Sequence, residues 1–403
     1  MRYAAGYGPS FCSLAAIVIT VAGAAFAQTP NAASPTLAPA RTPKTITEQF
    51  TTAERLQHAG WWPTKASELR EAYAGAESCV PCHDEISSGQ KTTQMARTAT
   101  PASQSALLQN HPKIDLLLAQ YTYEIVHNGS EEVFTVNEGD KSISVPLLWA
   151  FGTGTNGQSY LLQYQGSFYE ARLSYFAAYQ SFGITPGHPT TAEGGLEGAL
   201  GRRLSADETP RCFGCHTTSA NTAGSFDARQ AVPGITCEAC HGPAAAHVAA
   251  SKSGLRDAAA GLVMNPANFS PADSVDFCGS CHRTWWDITL AGFKGVETLR
   301  FPAYRLEKSA CWGTGDKRIT CVACHDPHEP LVKDTASYDS RCLSCHRTSA
   351  HAPATNDHPA PACPTGTHDC ASCHMEKFEF PAMHTKFTDH FIRVVRAGEP
   401  VPE

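Results

Sequence analysis

The chain has 403 residues, of which 17 are cysteine and 18 histidine, with 42% hydrophobic and 17% charged residues. That balance excludes an extended disordered protein, which combines low hydrophobicity with high charge, and the length allows two or three domains. Net charge is −7, from 38 acidic and 31 basic residues with no run of Lys or Arg, so the basic footprint of a nucleic-acid binder is missing.

Residues 1–27 read as a signal peptide. Arg2 precedes an apolar run from Phe11 to Phe26, and Ala25-Phe26-Ala27 is a small-x-small cleavage site. An uncleaved membrane anchor is the alternative, since the run approaches the lower limit for spanning. Residues 28–70 read as a flexible N-terminal linker, opening in Ala, Pro and Thr. No later stretch is long and apolar enough to cross a bilayer, so the mature chain is expected to have no transmembrane segment and to reside in the periplasm or be secreted.

Residues 71–110 hold the first copy of a cysteine motif, with a helix expected over Asp84–Thr98. Residues 111–205 read as a β-rich insert. The runs Tyr121–His127, Glu132–Asn137, Ser142–Leu147, Gln158–Gln163 and Ser167–Leu173 are rich in β-branched and aromatic residues. Turn signals such as Asn128-Gly129, Glu138-Gly139-Asp140 and Gln165-Gly166 separate them. A helix over Leu196–Leu204 is expected next. Residues 206–396 carry the other six copies, and 397–403 are a tail.

Fourteen cysteines fall into seven copies of Cys-x-x-Cys-His. They are Cys79-Val80-Pro81-Cys82-His83, Cys212-Phe213-Gly214-Cys215-His216, Cys237-Glu238-Ala239-Cys240-His241 and Cys278-Gly279-Ser280-Cys281-His282, then Cys321-Val322-Ala323-Cys324-His325, Cys342-Leu343-Ser344-Cys345-His346 and Cys370-Ala371-Ser372-Cys373-His374. Chance occurrence from this composition is far below one copy, and the pattern is that of c-type haem attachment. Two thiols three positions apart reach the two vinyl groups of one porphyrin, and the following imidazole takes the iron as proximal ligand. Zinc knuckles or a disulfide framework would leave the seven histidines unexplained. The reading is seven covalently attached haems c. Of the other three, Cys12 lies in the signal peptide; Cys311 and Cys363 remain in the mature chain, and an oxidising compartment favours a disulfide between them over two thiols.

Further segments carry a family resemblance. Cys240-His241-Gly242-Pro243 with His247, Cys324-His325-Asp326-Pro327-His328, and Cys373-His374-Met375 leading to His384-Thr385-Lys386-Phe387-Thr388-Asp389-His390 resemble the cytochrome c-554-like (c-552/4) family of multihaem cytochromes. Phe277 through Trp286 and Gly75–Glu85 look similar too. The resemblance implies a mainly α multihaem fold with bis-histidine haems in close-packed pairs. The sparse chain between the six closely spaced motifs itself predicts a haem-packed core with much irregular structure, and the runs at 121–173 predict a small antiparallel β insert.

Each low-spin iron needs a distal ligand, supplied by His or Met. His247, His328, His384 and His390 lie in segments that carry such ligands in the resembling family. His111, His188 and Met95 are the other candidates; Met95 falls on the expected first helix. A haem array relays electrons, with a quinol-oxidising membrane module on one side and a terminal reductase or outer-surface acceptor on the other as partners. Two other readings stay open: an oxidoreductase with one open haem acting on a small nitrogen or sulfur compound, and a subunit of a polymeric haem wire.

Overall fold

The structure is a computed structural model that describes residues 68–402, apart from 112, 223–224, 314–318, 347–362 and 397. The expected signal peptide, most of the linker, His58, His351 and His358 lie outside the described residues.

Hydrogen bonding joins ten strands into one antiparallel sheet. They are β1 (Ala99–Pro101), β2 (Lys113–Leu118), β3 (Tyr121–Asn128), β4 (Glu131–Glu138), β5 (Lys141–Phe151), β6 (Gly157–Tyr164), β7 (Ser167–Ala171), β8 (Leu173–Phe176), β9 (Ser181–Ile184) and β10 (Gly201–Arg203). Consecutive hairpins link β2 through β7. Between β6 and β7 both turn residues, Gln165 and Gly166, have positive φ (48° and 79°), the two-residue geometry whose twist matches that of the flanking strands.

Two strands are long enough to serve two neighbours along one edge, and that curls the sheet. β4 covers β5 from Lys141 to Leu147, and after an irregular register at Leu147–Trp149 the short β1 takes over against Trp149–Phe151. Likewise β6 pairs with β7 at Leu161–Tyr164 and with β8 at Gly157–Gln158.

This corrects the expected fold class. The protein is not mainly α with a small β insert: the sheet is its largest element, and the described helices are short. A Cys-x-x-Cys-His motif needs only one helical turn to present its two thiols and its imidazole, so the motif itself does not lengthen those helices. The alternating apolar pattern, in contrast, continues through successive hairpins, and each new strand adds cross-strand pairs. The first helix stops at Thr92 instead of Thr98, because the Thr93 hydroxyl donates to Gln90 O at 2.8 Å and accepts from Ala96 N at 3.0 Å. The second spans Gly195–Leu200 and passes into β10. A C-terminal hairpin, Lys377–Phe380 against Thr385–Thr388, had no counterpart in the sequence reading.

Both sheet faces are covered. Tyr121, Tyr123 and Ile125 on β3 and Phe134 and Val136 on β4 alternate into one core with Leu147, Tyr160 and Leu162. Trp149 and Leu161 face the other way and pack with Phe213. Phe213 lies inside the second cysteine motif, is fully buried, and meets Trp149, Phe151 and Phe226 at ring-centre distances of 5.2, 5.4 and 5.1 Å. Burying such a ring contributes about 1.5–3 kcal/mol, and it seats the second motif on the sheet.

Candidate cofactor sites

Each motif forms one turn of helix or tight turn. Helices span Glu208–His216, Cys237–His241, Pro271–His282, Cys321–Cys324, Asp339–Leu343 and Cys370–His374, and the first motif is a hydrogen-bonded turn. His83 N donates to Cys79 O at 3.0 Å, His325 N to Cys321 O at 2.9 Å and His346 N to Cys342 O at 3.0 Å. An i to i+4 bond of this kind stacks the histidine over the first cysteine of its own motif.

The imidazoles are oriented from behind. Nδ1 of His241 bonds to Met264 O (2.8 Å), of His374 to Arg393 O (2.9 Å), of His247 to Ala259 O (2.9 Å) and of His390 to Thr388 O (3.0 Å). His216 places Nδ1 2.7 Å from Thr98 Oγ1. A ring whose Nδ1–H donates to a carbonyl presents the lone pair of Nε2 outward, as metal-binding histidines do. Burial pushes the pKa of His216, His241, His282 and His325 down. It takes His390 to about 4, with His325 nearby adding to the effect. The neutral ring, the form that binds a metal, is thereby favoured.

Two pairs face one another. His241 and His328 have ring centres 6.1 Å apart and planes 9° from parallel, and His325 and His390 have centres 6.2 Å apart at 45°. Two imidazoles bound to opposite sides of one metal at about 2 Å each have centres about 6 Å apart. His83 and His247 are grouped with His241, and His282 with His325 and His390.

The motifs adjoin one another as well. The first thiols of motifs one and three, Cys79 and Cys237, lie beside each other, as do Cys278 and Cys321, and Cys342 and Cys370. Motifs two and four cross reciprocally: Cys215 Sγ donates to Ser280 O (3.7 Å) and Cys281 Sγ to Gly214 O (3.9 Å). Buried carboxylates tie two of these contacts. Glu238 accepts from Ala74 N, Gly75 N and Ala244 N at 2.7, 2.9 and 3.0 Å, fastening the approach to motif one onto motif three. Asp339, ahead of motif six, accepts from Asp369 N and Cys370 N at 2.7 and 2.8 Å and caps motif seven.

This donor set fits a covalently held haem. Paired thiols precede an oriented imidazole, and a second imidazole faces two of the seven. The guanidinium atoms Arg300 Nε and Arg393 Nη2 are also buried without a hydrogen-bond partner, a situation that carboxylates such as the haem propionates relieve.

The remaining candidates are placed otherwise. His111 is exposed, bonds through Nδ1 to Leu107 O at 2.7 Å, and stacks near Tyr175 and Phe182 of the sheet. His188 is buried, with Nε2 3.3 Å from Glu170 Oε2. His384 occupies the C-terminal hairpin turn, its Nδ1 3.0 Å from Tyr179 Oη and its ring against Phe176 and Tyr179. Met95 lies beyond the end of its helix, and its carbonyl accepts from Ile235 N at 2.9 Å. No disulfide joins Cys311 and Cys363. Cys311 lies near Cys324, and the Cys363 sulfur is 3.1 Å from Thr365 Oγ1. Glu238, Asp339 and Asp389 escaped the sequence reading, because a buried carboxylate that binds backbone amides has no sequence spacing of its own.

Residues 189–242 match the family described as cytochrome c554 and c-prime. The matched stretch contains motifs two and three. No curated protein matches the chain. Among solved structures the chain is similar to the outer cell wall cytochrome OcwA, at 15% identity over 80% of each chain with a TM-score of 0.39.

Proposed function

We propose that this c-type cytochrome binds seven haems, one at each Cys-x-x-Cys-His, and relays electrons outside the cytoplasm between redox protein partners. The observation that carries the reading is the two pairs of facing imidazoles, His241 with His328 and His325 with His390, each at the separation a shared iron would require. The bound haem supplies a one-electron iron couple. The chain would supply the attachment thiols, the proximal histidines, and distal histidines, of which His390 and His247 are held through Nδ1. We assign His328 to the third motif and His390 to the fifth, and draw His247 from the group around His83 and His241. Histidines held in this way would leave no place for a substrate at iron and would favour electron transfer. Export follows from the cysteine chemistry and from the leader-like residues 1–27. No helix among the described residues is long and apolar enough to cross a membrane.

The test is haem quantitation by mass and pyridine haemochrome, with low-temperature EPR and optical spectra before and after carbon monoxide. Seven haems per chain, all low-spin and unreactive to carbon monoxide, are expected. Fewer than seven would overturn the stoichiometry. A high-spin component equal to one haem would overturn the simple carrier in favour of an oxidoreductase with an open site.

A further inference from the structure

The stretch that brings His390 to His325 is gripped by a fully buried ion pair. Arg305 and Asp389 both have side chains with 0% exposure. Arg305 Nε donates to Asp389 Oδ1 at 2.8 Å and Nη2 to Oδ2 at 2.6 Å, two parallel bonds that fix the carboxylate in position and rotation. Asp389 accepts further from Phe391 N (3.0 Å) and Arg393 Nη1 (3.2 Å). Arg305 Nη1 is held by Thr298 Oγ1 (3.3 Å) and Pro402 O (3.0 Å). Ser309 grips the same stretch from the other side: its hydroxyl donates to His390 O (3.2 Å) and accepts from Ile392 N (2.8 Å). Residues on both sides of His390, and its own carbonyl, are therefore bonded to 305–309.

Stability alone does not explain this pair. Each buried ion loses several kcal/mol of hydration, and apolar residues of similar volume are often as stable in its place. What the bidentate pair adds is geometry, and a ligand must be held within about 0.5 Å and 10–20° of its working position. The same segment contains the helix Pro302–Glu307, whose Ala303 and Leu306 pack with Val275 of the motif-four helix and with Ile392. The grip thus refers His390 to the frame that carries the motifs.

We propose that Asp389 and Arg305, with Ser309, are positioning residues that hold the His390 imidazole opposite His325 and so keep the sixth position filled at the haem attached through Cys321 and Cys324. The inference rests on the reading that His325 and His390 bind one iron.

The test uses the holoprotein and four variants, His390→Ala, Asp389→Asn, Arg305→Lys and Ser309→Ala. Each is scored for haem content, the high-spin EPR signal and carbon monoxide uptake. His390→Ala is expected to convert one haem in seven to a high-spin, carbon monoxide-binding form. Asp389→Asn and Arg305→Lys should give the same signal at a fraction of that amplitude, and Ser309→Ala a smaller one, all at unchanged haem content. Imidazole added to His390→Ala should restore the low-spin spectrum. If His390→Ala converts one haem while the other three stay wholly low-spin, the positioning role is overturned and the ligand assignment stands. If His390→Ala itself stays low-spin, the ligand assignment falls. Should Asp389→Asn and Arg305→Lys fail to accumulate, Ser309→Ala decides: a carbon monoxide-reactive fraction supports the role, and a wild-type spectrum overturns it.

Discussion

Individual side chains in this protein act mainly by holding backbone in place. Ser205 and Glu208 show it at the entry to the second motif. Ser205 N donates to Glu208 Oε2 at 2.8 Å, and Glu208 N donates to Ser205 Oγ at 3.2 Å, a reciprocal pair that closes the turn leading into the helix that carries Cys212 and His216. The Ser205 amide, together with the Arg202 guanidinium, draws the Glu208 pKa from its ordinary 4.5 down to about 2. A carboxylate with a depressed folded-state pKa stabilises the fold above its unfolded pKa, and the contribution is lost as pH falls through the folded value. Glu208→Gln should therefore melt below wild type by a constant margin above about pH 5. The gap should narrow between 4.5 and 2. A pH series of melting curves checks this, and a margin that does not change with pH would assign the loss to something other than the charge.

At the scale of elements, the hairpins were legible and their extent was not. The runs at 121–127, 132–137, 142–147 and 158–163 each correspond to a strand of the sheet, because alternation and turn residues are local signals. The small strands β1 and β10 carry no such pattern; they form because longer partners offer an open edge. The C-terminal hairpin pairs only with itself, and its four-residue strands are too short for alternation to stand out. The same contrast holds at the sites. Each Cys-x-x-Cys-His is written in consecutive residues, whereas the facing of His241 by His328 depends on how distant segments pack. One junction is unusually tight. Gly234 has φ of +69°, and a Cβ there would lie 1.8 Å from Ala96 O. The adjoining Ile235 is bonded to Met95 O and to Gln90 Nε2, which ties the approach to motif three onto the segment after motif one. Gly234→Ala should cost more than about 1 kcal/mol, since it combines left-handed backbone with a clash. Chemical denaturation measures it, and a variant as stable as wild type would mean that this junction gives way freely.

Across the whole molecule, a sheet with its own apolar core stands beside a region whose helices are short and whose described apolar cluster is small. Val275, Ala303 and Leu306 are the buried members of that cluster, against the eighteen buried residues of the sheet core. The motif region is thus expected to depend on its cofactors for cohesion far more than the sheet does. The chain itself carries −7, and on the proposed function haem propionates would add to it, which would suit transient docking on basic partner surfaces.

The contact between Cys79 and Cys237 bears on how such a protein is assembled. Once the chain has folded, thiols from different motifs meet, and so do Cys278 with Cys321 and Cys342 with Cys370. An export compartment oxidises neighbouring thiols, so a chain that collapsed before its thioethers formed would be captured in cross-motif disulfides. On the proposed function, attachment at these motifs would have to run ahead of compaction, while the chain is still open. Chain exported to an oxidising compartment without the attachment machinery should yield the 79–237, 278–321 and 342–370 disulfide-linked peptides on non-reducing digestion. Their absence, with every thiol still alkylatable, would mean that compaction waits for the haems.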